Sequence, residues 1–328
     1  MIFRSATERD QERVIALMVP DPASGPTAGT YQLRSLSRQY RPEWTWLAEE
    51  RVARNDPPLA AAIWWGEPRA AGPSALDGIW APGPVAPSDR AQLTADLIRH
   101  AHRAFAEAAT DGQATYEPPR YHIFLPGDWR DRPEAVAALE WREDAARRAG
   151  LTRRLERLRY EWTARTGVLG PPGPGARLTF RPEPDDDVFA DVLAEVLSGT
   201  LDATSREQAA RVGPRQQARQ DVRFYRDRMR GDRSWWRIAH APDGRIAGFG
   251  IPSCNEEYPV VGYLGVLPGQ RGHGYVDEIL AEITRILATE AGATVIHADT
   301  DLENRPMAAA FERAGYRNFG RRLVLSAP

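Results

Sequence analysis

The chain has 328 residues, of which 42% are hydrophobic and 27% charged, an ordinary composition for a globular protein large enough for two domains. Its net charge of −2 argues against a general affinity for nucleic acid or anionic membranes. A single cysteine, Cys254, excludes an internal disulfide and a cysteine-rich metal site, and the sequence shows neither an N-terminal apolar segment nor a long apolar run. We therefore expect a cytoplasmic protein that neither crosses nor binds a membrane and holds no metal.

Tryptophan is concentrated in the first half of the chain, which holds eight of the ten, including Trp64 and Trp65. Large rings of this kind serve packing or interfaces more often than they form a ligand site. We expect a packing or interface role for them here.

A proline- and glycine-rich segment, Thr166 to Arg177, separates two stretches of similar pattern. Three pairs of segments recur in the same order on either side of it, centred on Trp44 and Trp235, Pro82 and Pro268, and Gly150 and Gly315. Constant order with drifting spacing is typical of a duplicated fold with insertions in its loops. The pattern predicts a first copy over residues 1–165, a linker at 166–176 and a second copy over 177–328; chance similarity of alanine- and arginine-rich helices is the alternative.

Hydrophobic periodicity predicts the order β-α-α-β-β-β-α-β-α-β for the second copy, which is typical of helices around a mixed sheet. The predicted elements are strands at Arg177 to Arg181, Trp235 to Ala239, Ile246 to Pro252, Val260 to Leu267, Thr294 to Thr300 and Arg321 to Leu325, with helices at Asp187 to Leu197, Arg206 to Arg230 (broken at Gly213-Pro214), from Val276 and from Asn304.

The most informative run is a strand, a glycine-rich turn and an amphipathic helix between Val260 and Leu287. The turn contains Gly269, Gly272 and Gly274. Backbone N–H groups that converge at a helix N-terminus bind anions, and the helix dipole adds roughly half a positive charge behind them. The run therefore predicts a phosphate site, with an ordinary glycine-rich turn as the alternative.

Two common phosphate motifs do not fit this turn. A P-loop requires a lysine, and the chain has none, while a dinucleotide fingerprint requires G-x-G-x-x-G early in a βαβ unit. The turn does match [QR]-x-x-G-x-[GA] after a V-x-P strand end, through Arg271 and Gly274, with Val276 in place of the usual glycine or alanine.

A second motif follows about thirty residues later, formed by Asn304, Met307, Phe311, Gly315 and Tyr316. Together the two motifs resemble those of the GCN5-related N-acetyltransferases, the GNAT family. The resemblance implies two tandem α/β domains, each a mixed, splayed sheet flanked by helices, and the tandem form is similar to mycothiol synthase-type architecture. Only the second copy carries the motifs.

The resemblance implies acetyl-CoA or another acyl-CoA as co-substrate. It assigns to cofactor binding the residues Leu264, Gly265, Val266, Gln270, Arg271, Gly272, His273, Gly274, Tyr275, Asn304 and Phe311. In this scheme a backbone N–H of Val266 or Gly265 faces the thioester oxygen, where a bulge splays two parallel strands, and Asn304 bonds the pantetheine arm. A plain helix cap is the alternative role for Asn304.

The first copy lacks the equivalent residues. Alignment on Pro82 places Val85, Ala86, Ser88 and Arg90 at the positions of the second copy's turn, and Leu139 at the position of Asn304. We expect that the first copy kept the fold and lost the cofactor, and that it walls one side of the substrate pocket.

The acid and base of the reaction are open on sequence alone. Glu256 and Glu257 precede the Val260 strand, where family members often place carboxylates, although a solvated turn explains them as well. Asp299 ends the next strand, on the same face as His297. Many family members have a tyrosine where this chain has Phe311, so Tyr316, Tyr263, Tyr275 or water is the candidate that protonates the leaving thiolate.

The sequence therefore predicts an acyltransferase that moves an acyl group from acyl-CoA to an amine of a small molecule. The polar helix, with Phe224 and Tyr225, and the Glu256 turn are expected to form the acceptor pocket. Two alternatives remain open: a donor carried on an acyl carrier protein (an aminoacyl-tRNA fits the net charge poorly), and a non-catalytic CoA-binding module.

Overall fold

The computed structural model describes residues 1–23, 25–50, 57–83, 86–109, 116–166 and 176–328. It divides into two compact units, an N-terminal unit of Met1–Glu156 with Gly320–Pro328 and a C-terminal unit of Arg157–Phe319. Within the described ranges, no helix combines the length and apolar character that a membrane span requires. Val85 and most of the predicted linker lie outside the described residues.

The N-terminal unit follows the order β-α-α-β-β-β-α-β-α. Its elements are β1 (Ile2–Ser5), α1 (Gln11–Leu17), α2 (Ala28–Leu36), β2 (Thr45–Glu49), β3 (Ala60–Trp65), β4 (Ala75–Trp80), α3 (Pro87–Ala108), β5 (Arg120–Pro126) and α4 (Pro133–Arg148). The three central strands are almost wholly buried, because helices cover both faces of the sheet.

A sixth strand, β6 (Arg153–Thr163), leads from this unit into the C-terminal unit. The elements of the C-terminal unit are then β7 (Thr179–Pro182), α5 (Asp186–Leu197), α6 (Ala203–Val212), α7 (Pro214–Asp227), β8 (Arg237–His240), β9 (Ile246–Cys254), β10 (Pro259–Val266), α8 (Tyr275–Thr289), β11 (Val295–Asp301), α9 (Arg305–Arg313) and the start of β12 (Arg317–Ser326). The predicted order is confirmed, with the polar helix broken at Gly213 as expected.

The strands of both units are mixed in direction. Within the N-terminal unit the strand order is β1-β2-β3-β4-β5-β12, with β4 and β5 parallel, and within the C-terminal unit it is β6-β11-β10-β9-β8-β7, with β10 and β11 parallel. The neighbours of these parallel pairs, β3 with β4 and β9 with β10, are antiparallel. The predicted mixed α/β class, with mixed strands flanked by helices in each unit, is thus confirmed.

The three segment pairs that suggested a duplication occupy matching places. Trp44 and Trp235 each end a short 3-10 turn before a strand, Pro82 and Pro268 each lie two residues after the central strand, and Gly150 and Gly315 each lie two residues after a helix. Both glycines have φ in the left-handed region, at 92° and 80°. The repeated sequence therefore encodes a repeated fold.

The last strand of each copy lies in the other unit. From Arg157 onward β6 pairs with β11 of the C-terminal unit, and from Gly320 onward β12 pairs with β5 of the N-terminal unit. The predicted domain limits at residues 165 and 177 describe the copies in sequence, whereas the compact units reflect this exchange of strands. The sequence limits stay a prediction.

Several predicted strand starts are wrong: β7 begins at Thr179 and not at Arg177, β12 begins at Arg317 and not at Arg321, and β8 does not begin at Trp235. Trp235 closes a 3-10 turn capped by Asp232, whose carboxylate accepts a hydrogen bond from the Ser234 N–H at 2.8 Å. The strand β8 therefore begins at Arg237. Most first-half tryptophans pack in the core as expected, as Trp64 shows, with its ring edge-on to Phe105.

A buried arginine occupies the N-terminal unit where its parallel strands diverge. Arg142, on α4, is 1% exposed and donates to the Ala138 and Ile79 carbonyl oxygens at 2.8 and 3.1 Å. It also pairs with Asp21 at 2.7 Å and lies over the Trp141 ring. The alignment places Arg142 at the position of Met307 in the second copy, so a guanidinium fills the place where the other copy has a cavity.

Arg142→Ala should lower the free energy of unfolding by about 3 kcal/mol, because it leaves buried carbonyls without a donor and Asp21 without its partner. Arg142→Met, which keeps most of the volume, should cost about half as much. Urea unfolding followed by tryptophan fluorescence measures both. Arg147→Ala, an exposed change on the same helix, should have little effect; equal losses for all three variants would contradict this role for Arg142.

Candidate active site

The strands β10 and β11 diverge almost as soon as they meet. Their parallel pairing is confined to Val260 and His297, and the register between β10 and β9 shifts between Val261 and Tyr263. This irregularity at Gly262 is the bulge that the resemblance implied, a few residues nearer the start of the strand than expected. Beyond it the two strands leave a cleft in the sheet of the C-terminal unit.

One cavity, here called the donor cavity, occupies this cleft beside the glycine turn and has a volume of about 600 Å³. Its walls come from the ends of α5 and β10, the turn before α8, and the start of α9. The residues that line it are Val196, Gly199, Thr200, Leu201, Leu264, Gly265, Val266, Gln270, Arg271, Gly272, Gly274, Tyr275, Val276, Asn304, Pro306 and Met307. All predicted cofactor residues except His273 and Phe311 are among them.

The glycine turn presents a row of unused donors. Gly272 and Gly274 have φ of 84° and 73°, a left-handed conformation that side-chain-bearing residues rarely adopt. Within the described part of the chain, the N–H groups of residues 272–276 donate to no other group. Because they lie at the N-terminus of the fifteen-residue helix α8, the helix dipole reinforces their attraction for an anion.

The backbone of β10 offers two further donors inside the cleft. Leu267 N–H bonds the Ala247 carbonyl at 2.9 Å, so the alternation of an antiparallel pair directs Gly265 toward β9 and leaves the N–H groups of Leu264 and Val266 facing away from it. The Val266 carbonyl on that side accepts from Arg271 Nε at 3.3 Å. Two N–H groups were predicted to face the thioester oxygen, and the strand register favours that of Val266 over that of Gly265.

Gly265 itself is required by packing. A Cβ at this position would lie 2.3 Å from Cγ1 of Val196, at the end of α5. Only glycine lets this helix approach β10 closely enough to form one wall of the donor cavity.

The side chain of Arg271 belongs to that wall. Its guanidinium donates to the carbonyl oxygens of Val196, Ser198 and Gly199 at 3.1–3.2 Å, besides Val266. It therefore caps the C-terminus of α5 and ties that helix to the end of β10. The N–H groups of the turn, and not this side chain, are left for a ligand.

Asn304 caps a helix and also borders both cavities. Its Oδ1 accepts from the Met307 N–H at 3.4 Å, which caps α9. The same residue lines the donor cavity and its neighbour.

That neighbour, here called the acceptor cavity, has a volume of about 490 Å³ and shares Val196, Thr200, Leu264, Asn304 and Met307 with the donor cavity. Phe224 and Tyr225 line it, as predicted. Its charged residues are Asp202, Asp221, Asp299 and Arg157, so carboxylates outnumber guanidinium groups three to one. Such a lining favours a cationic ligand.

The predicted acid and base candidates are dispersed. Asp299 lines the acceptor cavity, 3.9 Å from Arg159 Nε. Glu256 and Glu257 are exposed in the turn before β10 and border neither cavity. Tyr316 is buried in the core, where its hydroxyl lies 2.8 Å from Thr284 Oγ1 and burial raises its pKa.

Two predicted cofactor residues lie outside the donor cavity. Phe311 lines the acceptor cavity and stacks on Tyr160, with ring centroids 5.1 Å apart. His273 is exposed, stacks on Tyr275, and its carbonyl accepts from Arg177 Nη1 at 2.6 Å. His273 therefore contributes its backbone to the turn.

Asp221 is the site residue that sequence reasoning missed. It lies on α7, and Gln217 Nε2 donates to its Oδ1 at 2.7 Å. The available signal was spacing: Asp221 follows Gln217 by four residues and precedes Tyr225 by four, which places all three on one face of an otherwise arginine-rich helix.

Comparison with known proteins agrees with this geometry. Residues 177–317 match the family model of the acetyltransferase (GNAT) domain, and no curated protein matches the chain. A GCN5-related N-acetyltransferase from Sphaerobacter thermophilus is similar in structure, with TM-score 0.58 and 16% identity over 98% of this chain and 94% of that one. A tandem GNAT protein from the clavulanic acid biosynthesis pathway, solved without AcCoA, gives 0.51 and 16% over 100% and 98%. At such identities the likeness concerns the fold.

The splayed sheet, the donor-rich turn and the matched domain define an acyltransferase. Residues 177–317 form an acetyltransferase (GNAT) domain by their match to the family model, and the chain as a whole shares the fold of the tandem GNAT protein.

Gly274→Ala should lower the free energy of unfolding by about 1 kcal/mol, because alanine pays the steric cost of a left-handed backbone. Gly269→Ala in the same turn is the matched control, since its φ is ordinary and nothing lies within 4 Å of the added Cβ. Urea unfolding compares the two. An equal loss for both would contradict the proposed conformational demand at Gly274.

Proposed function

We propose that the C-terminal unit transfers an acyl group from acyl-CoA to an amine of a small molecule by direct attack on the thioester. The row of unpartnered N–H groups at residues 272–276 carries this proposal, because a coenzyme A pyrophosphate is the ligand that such a turn accommodates. The adjoining acidic cavity then provides for the amine.

The donor enters with its pyrophosphate on the turn and its pantetheine arm along β10. Gln270, Gly272 and Gly274 border the first part of this path, and Leu264 and Asn304 border the last. The Asn304 amide nitrogen is placed to bond an amide oxygen of the arm, since its Oδ1 caps α9. The thioester then lies where the donor and acceptor cavities meet.

The outward N–H of Val266 or Leu264 stabilises the carbonyl oxygen as negative charge grows on it. A single positioned donor of this kind contributes about 3 kcal/mol to the lowering of the barrier. No reorganisation is needed at the moment of reaction, because the strand backbone already holds the donor.

The sulfur leaves as a thiolate, which a thiol of pKa near 8.5 allows. Phe311 has no hydroxyl, and Tyr316 is committed to Thr284 in the core. Tyr263, which lines the acceptor cavity, and Tyr275, which lines the donor cavity, are the predicted tyrosine candidates that remain, and burial raises the pKa of Tyr263 to about 12.

A carrier-protein donor is the second candidate, because its pantetheine arm would follow the same path. It has no ADP pyrophosphate and would leave the N–H groups of the turn unused, so the structure favours acyl-CoA. A cytoplasmic location stays a prediction. Among the described residues no cluster of three or more metal-binding side chains occurs, and the reaction proposed needs none.

The protein should bind acetyl-CoA and release free thiol when an amine is added. Calorimetry with acetyl-CoA and with acetylated pantetheine, which lacks the nucleotide, measures what the turn contributes; we expect at least a 10-fold weaker affinity for the shorter donor. Gly274→Ala should weaken acetyl-CoA binding several-fold, and Gly269→Ala should not.

Three results would contradict the proposal in different ways. Equal affinity for acetyl-CoA and acetylated pantetheine would contradict a pyrophosphate site at the turn. Binding without thiol release across an amine panel would indicate a CoA-binding module. Turnover with an acylated carrier protein alone would transfer the assignment to the second candidate.

A further inference from the structure

Asp221 differs from the other carboxylates of the acceptor cavity because no cation neutralises it. Asp202 pairs with Arg157 at 3.1 Å, and Asp299 lies 3.9 Å from Arg159 Nε. Within the described residues Asp221 has no ion pair, and its hydrogen-bond donor is the neutral amide of Gln217. It is therefore the carboxylate whose charge is available to a ligand.

The side chain of Gln217 fixes the position of the Asp221 carboxylate. Gln217 is 4% exposed, and its Nε2 also lies 3.3 Å from Gln208 Oε1 on α6. This amide joins the two helices and holds the Asp221 carboxylate toward the cavity that both helices line.

The charged and titratable groups around Asp221 come from several elements. Asp202 at the start of α6 adds a negative charge, Arg157 on β6 and Asp299 on β11 line the same cavity, and Tyr225 of α7 and Tyr263 of β10 flank it. On α5, the carboxylates Asp187 and Asp191 face Arg219 and Arg215 outside the cavity.

We propose that Asp221 binds the ammonium group of the acceptor and takes its proton, and that the acceptor is an amine without a carboxylate or phosphate group. This inference rests on the proposed acyl transfer and specifies its substrate class. The proton acceptor then lies on α7, which lines the acceptor cavity, and not in the predicted Glu256 turn.

The pKa of Asp221 suits this role. Burial raises it to about 6, the charge of Asp202 adds to the rise, and the Gln217 hydrogen bond opposes it. A base with a pKa near the working pH is more effective than an ordinary carboxylate. Because only the ionised form accepts a proton, kcat/KM should rise with pH through about 6.

The exclusion of anionic acceptors follows from the same lining. Arg157, the one guanidinium among the described residues that line the cavity, already pairs with Asp202 and with Asp301 at 3.1 and 3.2 Å. No second basic residue of the lining could neutralise an acceptor carboxylate. The rings of Phe224, Tyr225 and Tyr263 suit instead an apolar body beside a cation.

The reaction balances as follows. The ammonium gives one proton to Asp221, and the nitrogen lone pair attacks the thioester carbon to form the C–N bond. The C–S bond then breaks, the electron pair leaves with sulfur, and the second nitrogen proton goes to the thiolate. Asp221 returns its proton to solvent, so one proton is released for each amide formed.

Asp221→Asn tests the base, with Asp191→Asn on the exposed side of α5 as the matched control. The asparagine variant should bind acetyl-CoA as the wild type does and lose about 100-fold in kcat/KM at pH 7, the size expected for a general base. It should also lose the rise in kcat/KM through pH 6, whereas Asp191→Asn keeps both. Unchanged acetyl-CoA affinity shows that the variant is folded.

Matched acceptor pairs test the substrate class. 2-Phenylethylamine should be a better acceptor than phenylalanine, and glucosamine better than glucosamine 6-phosphate, each by at least 10-fold in kcat/KM. In both pairs the amine stays the same and only the anionic group is added.

The outcomes separate this inference from the proposed function. If the wild type acylates amines but Asp221→Asn keeps its rate within 3-fold and its pH profile, the base assignment is overturned. If the anionic member of each pair is preferred, the substrate class is overturned. If acetyl-CoA binds and no amine is acylated, acyl transfer itself is contradicted.

Discussion

The candidate site of this protein depends on the divergence of two parallel strands, β10 and β11. β10 and β11 share a single paired position, Val260 with His297, and everything proposed for the site lies in the gap beyond it. The bulge at Gly262 turns β10 away, and Gly265 lets α5 close over the strand without a steric clash. In a sheet without this divergence, the N–H groups of Val266 and Leu264 would bond to a neighbouring strand. That strand would leave no room for an acyl donor.

The two units show opposite uses of the same divergence. In the N-terminal unit, the guanidinium of Arg142 donates to Ile79 and Ala138 and occupies the gap after β4 leaves β5. In the C-terminal unit, Met307 at the aligned position borders both cavities. One charged side chain thus fills, in the N-terminal unit, the place that is a cavity in the C-terminal unit.

Sequence reasoning located the fold and the donor side of the site because both depend on local pattern. Glycines 272 and 274, the strand before them and Asn304 are spaced along the chain as their geometry requires. The acceptor side depends on tertiary packing: Asp221 lies in a helix full of arginine, and only folding places it opposite Tyr263 and Asp299. Three predicted residues had suitable chemistry but line neither cavity. Glu256 and Glu257 are exposed to solvent, and Tyr316 is buried in the core.

The Arg271 side chain illustrates why a motif residue and its atoms must be treated separately. Its guanidinium donates hydrogen bonds to four carbonyl oxygens at the junction of α5 and β10. The backbone N–H groups of the following residues, 272–276, are the ones left for an anion.

The crossed-over strands carry a consequence for how such a molecule is made and how it evolves. Since β6 pairs with β11 of the C-terminal unit and β12 pairs with β5 of the N-terminal unit, a gene split between the repeats would yield two polypeptides, each ending in a strand that pairs within the unit of the other repeat. Loss of the first repeat would therefore also remove the strand β6 that pairs with β11 of the second repeat.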